Sequence, residues 1–561
     1  MKASGSVVKV LGDYVSVAVS DEALHEMGIR GTFVKIFTKK GRILVGIVSN
    51  VSLYDELYRQ SGGRIQLIES YSDIALHRNE IIVSLLGTLK DGAIERKIDA
   101  IPSPGDLVTV MDENELKTIF SSGDIRIGVL STAENVPVKL NINELATKHL
   151  AILAMTGSGK SNTLAVLLVR LIKEFDWPRI LLIDTHSEYV ALGSNDSPIK
   201  DKVTIYAPIG KFREILLSEG YQVRPLEIPY WMLTVEEWFS LLKIPPNATK
   251  QRRDLRTALR KIKEPYDINA PIFFEINTLK SFISNEDVLD KLDDALGSEE
   301  YAFIFNPENA LRIIQDSELA EKEKMLRLFK LISEPIAKDG LKIVALGGLS
   351  ADIQNAVVSM ILRTAFRIAI ESKLAGLPMP TLIAIEEAHI YAPEQSYATA
   401  KQILERIAKE GRKFGIGLII VSQRPREISQ TVLAQCGNLI ALRTVNPLDQ
   451  RHIQQSLEDV TSALMSNLPG LGIGEAIISG PFVPIPCVAK IDLFDNVAIK
   501  EFNAKIQLGG KDIDFRLAWT RPIDEEALQR VFERMYALQE KERKKKKAVE
   551  KKGALDVFFG S

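Results

Sequence analysis

The chain has 561 residues, 46% apolar and 26% charged, a composition that can fill large cores and excludes a disordered or fibrous polymer. Its 71 basic and 73 acidic side chains leave a net charge of -2, which excludes a uniformly basic surface, so any nucleic-acid contact has to come from local patches. The two cysteines, Cys436 and Cys487, lie too far apart for a metal-type pair and fit a reducing, cytoplasmic setting.

In chain order, "MKASGSVVKV" carries no secretory signal pattern. Residues 1–135 then read as a small β-barrel or sandwich. "SVVKVLGDYVSVAVS" turns at Gly12-Asp13, "TFVKIFTKKGRILVGIVSNVS" repeats the scheme around Lys40-Gly41, and "EIIVSLLGTL" and "GDLVTVMD" add further short strands. From about residue 148, continuous apolar runs alternate with helical stretches: "HLAILAM", "ILLID", "KIVALGG", "TLIAIE", "GLIIVSQ", "NLIALR" and "EAIISG". Runs apolar on both faces indicate a buried, mostly parallel sheet covered by helices, expected over 136–210 and 336–500. Between "ILLID" and "KIVALGG" lie too many residues for one crossover, and amphipathic segments such as "TKQRRDLRTALRKIKEP" place a helical insertion at 211–335. "LPGLGIGEAIISGPFVPIPCVAKI" is interrupted by Gly, Pro and Glu475, so it reads as strand and turn, and no membrane span is expected. Residues 501–561 form a helical, basic tail.

"AILAMTGSGKSN" sits between an apolar run and the helical "TLAVLLVRLIKEF", the strand–loop–helix context of a P-loop, with Ala154 where the pattern asks for glycine. Gly157 and Gly159 allow backbone N–H groups, with those of Thr156 and Ser158, to face phosphates at a helix N-terminus. Lys160 reaches the outer phosphates and the Ser161 hydroxyl suits Mg²⁺, with Asn162 beside it. Downstream, "LIAIEEAHIYAP" ends an apolar strand on two adjacent carboxylates, a costly placement unless a cation offsets it. In this setting Glu386 is the metal carboxylate, where Asp is commoner, and Glu387 is the base that orients and deprotonates water. "GLIIVSQRP" puts Gln423 at the next strand tip, placed to sense a γ-phosphate or to cap a turn. "ERIAKEGRKFG" ends a helix with Arg412, either a solvated helix end or an arginine finger for a neighbour in a ring. "LIDTHSEYV" offers Asp184 and Glu188, to support metal and water or to cap a turn. No Asn-Lys-x-Asp string for guanine is present.

Together "MTGSGKSN", "LIDTHSEY", "IAIEEAH", "GRKFGIGLIIVSQRP" and "NLIALRTVNPLDQRHI" resemble the HerA branch of the FtsK–HerA ring ATPases, and the N-terminal β region resembles that family's small barrel. The resemblance spans roughly residues 5–500. It implies an α/β fold: a RecA-like P-loop ATPase core with an N-terminal small β-barrel and an inserted helical bundle. It also implies a homo-hexamer that uses ATP and Mg²⁺ to drive double-stranded DNA through its channel, working with a NurA-type nuclease in end resection and recombinational repair. By position, Lys160 corresponds to the family's P-loop lysine, Glu387 to its catalytic glutamate, Arg412 to its trans arginine and Gln423 to its strand-tip glutamine. Lys148, just before the first core strand, takes the place of a second basic residue. The loop after Gln423 should face the channel, where Arg424 and Arg426 are candidate DNA-phosphate contacts or members of a solvated loop.

The tail offers two further readings. "KERKKKKAVEKK" is a solvated helix end or a nonspecific DNA contact. Leu555, Phe558 and Phe559 have the spacing of sliding-clamp-binding peptides, with Lys552 in place of the usual leading Gln, although docking on the ring itself or on the nuclease suits them equally. Rival functions are a conjugation-type DNA pump, usually membrane-linked, and a nucleotide-gated scaffold that recruits nuclease and clamp. A DEAH-box helicase is disfavoured for want of a second RecA-like core.

Overall fold

The computed structural model describes residues 4–55, 77–195, 197–456, 462–494, 519–520 and 528–533. Leu555, Phe558, Phe559 and the lysine block of the tail lie outside them. The chain divides into two compact units: 1–145 with 151–170 and 437–497, and 146–150 with 171–436 and 498–561.

In the first unit, β1 (Ser4–Leu11) and β2 (Tyr14–Val19) form the first hairpin, whose turn uses Gly12 at φ +60°. β3 (Phe33–Phe37) and β4 (Ile43–Asp55) form the second, followed by β5 (His77–Lys90), β6 (Ala93–Glu95) and β7 (Leu107–Val110). The order β2-β1-β7-β3-β4-β5 closes through β2–β5 into a six-stranded barrel, with β6 at the edge of β5. Alternation sends Val7, Val15, Val17, Ile36, Leu44, Ile81, Val83 and Val108 inward, all essentially inaccessible. β8 (Ile125–Leu130) and β9 (Ala133–Leu140) are not part of this barrel, so its strands end at Val110, short of the boundary expected at residue 135. β10 (Leu150–Leu153) then leads into helix α1 (Lys160–Glu174).

The second unit holds a six-stranded parallel sheet in the order β13-β12-β14-β11-β15-β16. Its strands are β11 (Arg179–Asp184), β12 (Val203–Ala207), β13 (Val223–Pro225), β14 (Gly340–Ala345), β15 (Thr381–Ile385) and β16 (Ile416–Ser422). The strands β11, β14, β15 and β16 are buried at every residue, as their unbroken apolar runs demand. The region expected as a helical insertion supplies α2 (Val235–Leu241), α3 (Thr249–Lys263), α4 (Glu286–Gly297) and α5 (Glu321–Ala337), and it also contributes the short edge strand β13. Its core is aromatic: Trp231, Trp238, Phe239 and Phe303 are fully buried. Glu237 of α2 fixes this bundle to α6 (Ala351–Leu374), accepting from Ser359 at 2.9 Å and from Arg363 at 3.0 Å. Among the described residues α6 alone is long and apolar enough to cross a membrane, but 78% of its apolar window is buried inside the protein, as a core helix requires. α7 (Thr399–Glu410) precedes β16.

The first unit is completed by β17 (Asn438–Leu442), β18 (Glu475–Ser479) and β19 (Cys487–Ile491), in the order β10-β17-β18-β19-β8-β9. From β17 onward these pairings are antiparallel. Gly128 permits the β8–β19 contact, because a Cβ there would lie 2.1 Å from the Lys490 carbonyl oxygen.

Candidate active site

The phosphate loop lies in the first unit. Ala154, at the position where the loop pattern has glycine, is a buried residue directly after β10. The loop then turns tightly: the Ser158 N–H and Oγ both donate to the Met155 carbonyl, at 3.3 and 2.6 Å. Gly157 and Gly159 have φ of +77° and +105°, conformations that side chains resist. A Cβ on Gly157 would meet nothing within 4 Å, so the loop presents open space on that side, whereas Gly159 packs against Leu442 and Gly474. The Gly474 N–H donates to the Ser158 carbonyl at 3.1 Å, and Thr163 Oγ1 donates to the Gly159 carbonyl at 2.9 Å. Thr156 is exposed, Lys160 is largely buried and Ser161 is half-buried at the start of α1. The Asn162 side chain serves elsewhere: it donates to the Asp492 carbonyl and accepts from the Phe494 N–H, both at 2.9 Å. Asp492 is held in turn by Arg126 and Arg170.

The acidic residues lie in the second unit, at the C-terminal ends of two parallel strands, β11 and β15, where ligands of open α/β sheets bind. The β11–β15 register sets Ile183 opposite Ile385, so Asp184 and Glu386 follow at neighbouring strand tips. Both are almost fully buried. Burial first, and the Glu386 charge second, push the Asp184 carboxyl up to about 8. Two such acids cannot both ionise cheaply, so the pair holds a proton or a cation. Asp184 also caps its loop, accepting from the Glu188 and Tyr189 N–H groups at 3.0 and 2.9 Å. Glu188 is exposed.

Glu387 has φ +47°, an uncommon left-handed conformation for a residue with a side chain. Its carboxylate accepts from Gln423 Nε2 at 2.8 Å and stands 3.3 Å from His389 Nδ1. Gln423 follows directly on β16, and His389 Nδ1 is also 3.1 Å from Ser422 Oγ. Thr185 Oγ1 donates to the Glu386 carbonyl at 2.8 Å and lies 3.0 Å from the Tyr391 hydroxyl. The structure thus brings Glu387 and Gln423 together and adds His389, Thr185 and Tyr391, which sequence reasoning did not single out. The His389 signal was available in "EEAH", two residues past Glu387.

Arg412 is exposed, in a single 3₁₀ turn after α7. Lys148 is half-buried at the end of the helix Ile142–Lys148. Next to it His149 is buried, with Nε2 3.0 Å from the Ala408 carbonyl at the end of α7 and Nδ1 accepting from the Leu418 N–H of β16 at 3.0 Å. Burial above all, opposed by the Ala408 hydrogen bond, and with Arg412 contributing, lowers its pKa to about 4, so the ring is neutral. Arg424 pairs with Glu427 at 3.3 Å, and Arg426 is exposed and forms no ion pair among the described residues.

The donor chemistry suits Mg²⁺, which takes hard oxygens and commonly needs only one or two protein ligands beside substrate phosphates. The Ser161 hydroxyl of the first unit and the Glu386 carboxylate of the second are each, taken separately, oxygens of that kind, and no cage of three or more His, Cys, Asp or Glu occurs among the described residues.

A glycine loop opening a helix, with parallel strands that end on acids and an amide, defines a RecA-like P-loop ATPase. The family models "Helicase HerA, central domain" and "Helicase HerA-like C-terminal" match residues 125–365 and 376–482. The DNA double-strand break repair helicase HerA of Sulfolobus acidocaldarius is 31% identical over 528 residues, covering 92% of this chain and 98% of that protein. Its counterpart in Pyrococcus furiosus is 30% identical over 538 residues, covering 88% and 92%. Among solved structures, VirB4 of Thermoanaerobacter pseudethanolicus resembles the chain with a TM-score of 0.42 at 15% identity, over 67% of this chain and 97% of that one. The chain belongs to the HerA helicase family and is an ATP-hydrolysing helicase or translocase.

Proposed function

We propose that this chain is a cytoplasmic double-stranded DNA translocase of DNA end resection and recombinational repair. It assembles as a homo-hexameric ring and works beside a NurA-type nuclease. The observation that carries this reading is the Glu387 carboxylate, buried in a strained backbone position and oriented by Gln423 at 2.8 Å. A carboxylate so placed is a general base for water, and a scaffold that only binds nucleotide has no use for it.

When bound with ATP, Mg²⁺ would supply positive charge against the phosphates. In this reading the Ser161 hydroxyl and Glu386 would hold the ion, Lys160 and the loop N–H groups of residues 156–161 would hold the phosphates, and Glu387 would take the proton of the attacking water. Gln423 fixes the direction of that carboxylate and reports on the phosphate end of the site through the same hydrogen bond. Arg412, exposed on its turn, reaches the neighbouring subunit's nucleotide, and Lys148 adds positive charge in front of the phosphate strand. Arg424 and Arg426 touch DNA phosphates without reading sequence.

The test compares ATP turnover with and without linear duplex DNA for the wild type, Glu387→Gln and Arg412→Ala. DNA should stimulate the wild type, and both variants should lose that turnover. A wild-type rate indifferent to DNA, even with a NurA-type nuclease added, would overturn the reading in favour of a scaffold.

A further inference from the structure

Helix α3 carries seven basic and one acidic side chains in 15 residues, on a chain whose charges otherwise balance. Three of the seven have structural tasks. Lys263 is buried, with its ammonium 3.4 and 3.5 Å from the carbonyl oxygens of Trp231 and Leu233. Arg252 and Arg256 lie over the Phe239 ring, at 4.2 and 5.5 Å, and pair with Glu236. Of the other four, Lys261 has its ammonium 5.9 Å from the Phe282 ring centroid but stays exposed. Lys250, Arg253, Arg260 and Lys261 are exposed and form no ion pair among the described residues. Their spacing sets them on one face of the helix, along about 16 Å. The acid, Asp254, is committed to the N–H groups of Ser284 and Asn285 ahead of α4, at 3.0 and 2.9 Å.

Solvation alone does not account for this pattern. A solvated helix face alternates acids and bases three or four residues apart, whereas here Arg253, Arg256 and Arg260 repel one another at those spacings. The helix dipole favours cations in the last turn, which covers Arg260 and Lys261, but disfavours Lys250 and Arg253 near the start. The exposed face carries no apolar side chain, only Thr249 and Thr257 between the cations. Protein partners need apolar anchors, whereas phosphates need only charge.

We propose that the outer face of α3 binds the phosphate backbone of double-stranded DNA, as a contact distinct from Arg424 and Arg426. The assignment rests on the DNA-translocase reading above. On its other side α3 meets the loop that follows Glu387: the Arg252 guanidinium lies 6.0 Å from the Tyr397 ring, and the Tyr397 hydroxyl donates to Glu236 at 3.1 Å. DNA on the outer face is therefore two side chains away from that loop.

The experiment measures binding of a labelled linear duplex to the full-length protein across a salt series, for the wild type, Arg253→Gln/Arg260→Gln and Arg253→Glu/Arg260→Glu. DNA-free ATP turnover and oligomeric state are measured alongside. The doubly neutralised variant should bind about tenfold more weakly at moderate salt, with the slope of log affinity against log salt smaller by about 2, the value for two lost phosphate contacts. The charge-reversed variant should bind more weakly still, and DNA-free turnover should hold in both. Equal affinity and slope in all three proteins would overturn the assignment. So would loss of assembly with an unchanged salt slope, which would make the face a subunit contact. A wild type that does not bind duplex sinks the DNA reading itself, and this assignment with it.

Discussion

Glu387 combines three features that seldom coincide at a structural residue: a buried carboxylate, a left-handed backbone and an amide donor aimed at it. The left-handed conformation costs about 1–3 kcal/mol, and such outliers persist where a side chain has to be held in one direction. Replacing Glu387 by Gln keeps the shape and removes the carboxylate proposed as the base. ATP turnover should fall by roughly 10²–10⁴, with nucleotide affinity, read by fluorescent-analogue titration, retained; a variant that loses binding equally would place the residue in the fold rather than the chemistry. His149 gives a prediction of a different kind. Its pKa falls from 6.5 to about 4 on folding, so between those values the unfolded chain binds more protons. Stability is then full above about pH 6.5 and declines as pH falls through the window, by at most roughly 3 kcal/mol. His149→Asn, whose side chain tolerates the positive φ, should show a shallower decline of melting temperature from pH 7 to 4, and an unchanged pH profile would remove His149 from the acid response. The strand-tip residues were legible in sequence, because each directly follows an apolar run. The Asp184–Glu386 pair was not, since it depends on the register between strands two hundred residues apart. Nor was the role of His149, whose partners are two backbone groups of distant elements.

At the scale of elements, the runs expected as core strands are strands, because a sequence apolar on both faces has few other stable positions. Which strands close the barrel was not legible, for an equally physical reason. β8 and β9 alternate with the same period as the barrel strands, and only their partner, β19, reveals where they belong. The polar-edged β12 and β13 lacked the long apolar signature altogether. In the insertion, helical periodicity was visible but the aromatic centre that ties the helices together was not. Trp238 is fully buried, with its ring 5.8 Å from that of Phe305 and 6.3 Å from that of Tyr230. Trp238→Ala should cost about 3–5 kcal/mol through lost burial and the cavity left behind. Denaturant unfolding checks this, and a loss under 1 kcal/mol would mean that the bundle collapses around the gap. Gly128→Ala acts through the backbone instead. Its Cβ would force β8 away from β19, so the variant should lower the melting temperature although it adds only a methyl group.

At the scale of the whole molecule, the proposed ring makes a quantitative demand on Arg412. If this exposed arginine completes the site of a neighbour, each site draws Lys160 from one subunit and Arg412 from the next. Lys160→Ala and Arg412→Ala should then be inactive alone, and the two mixed in equal amounts should recover turnover. In a randomly mixed ring about a quarter of the interfaces pair an intact Lys160 with an intact Arg412, so recovery should reach about a quarter of the wild-type rate if sites fire independently. An arginine that acts on its own subunit's nucleotide gives no recovery at any mixing ratio. Strong coupling around the ring pulls recovery below a quarter and makes it depend steeply on the ratio, so the curve of rate against composition reports both where Arg412 acts and how many subunits act together.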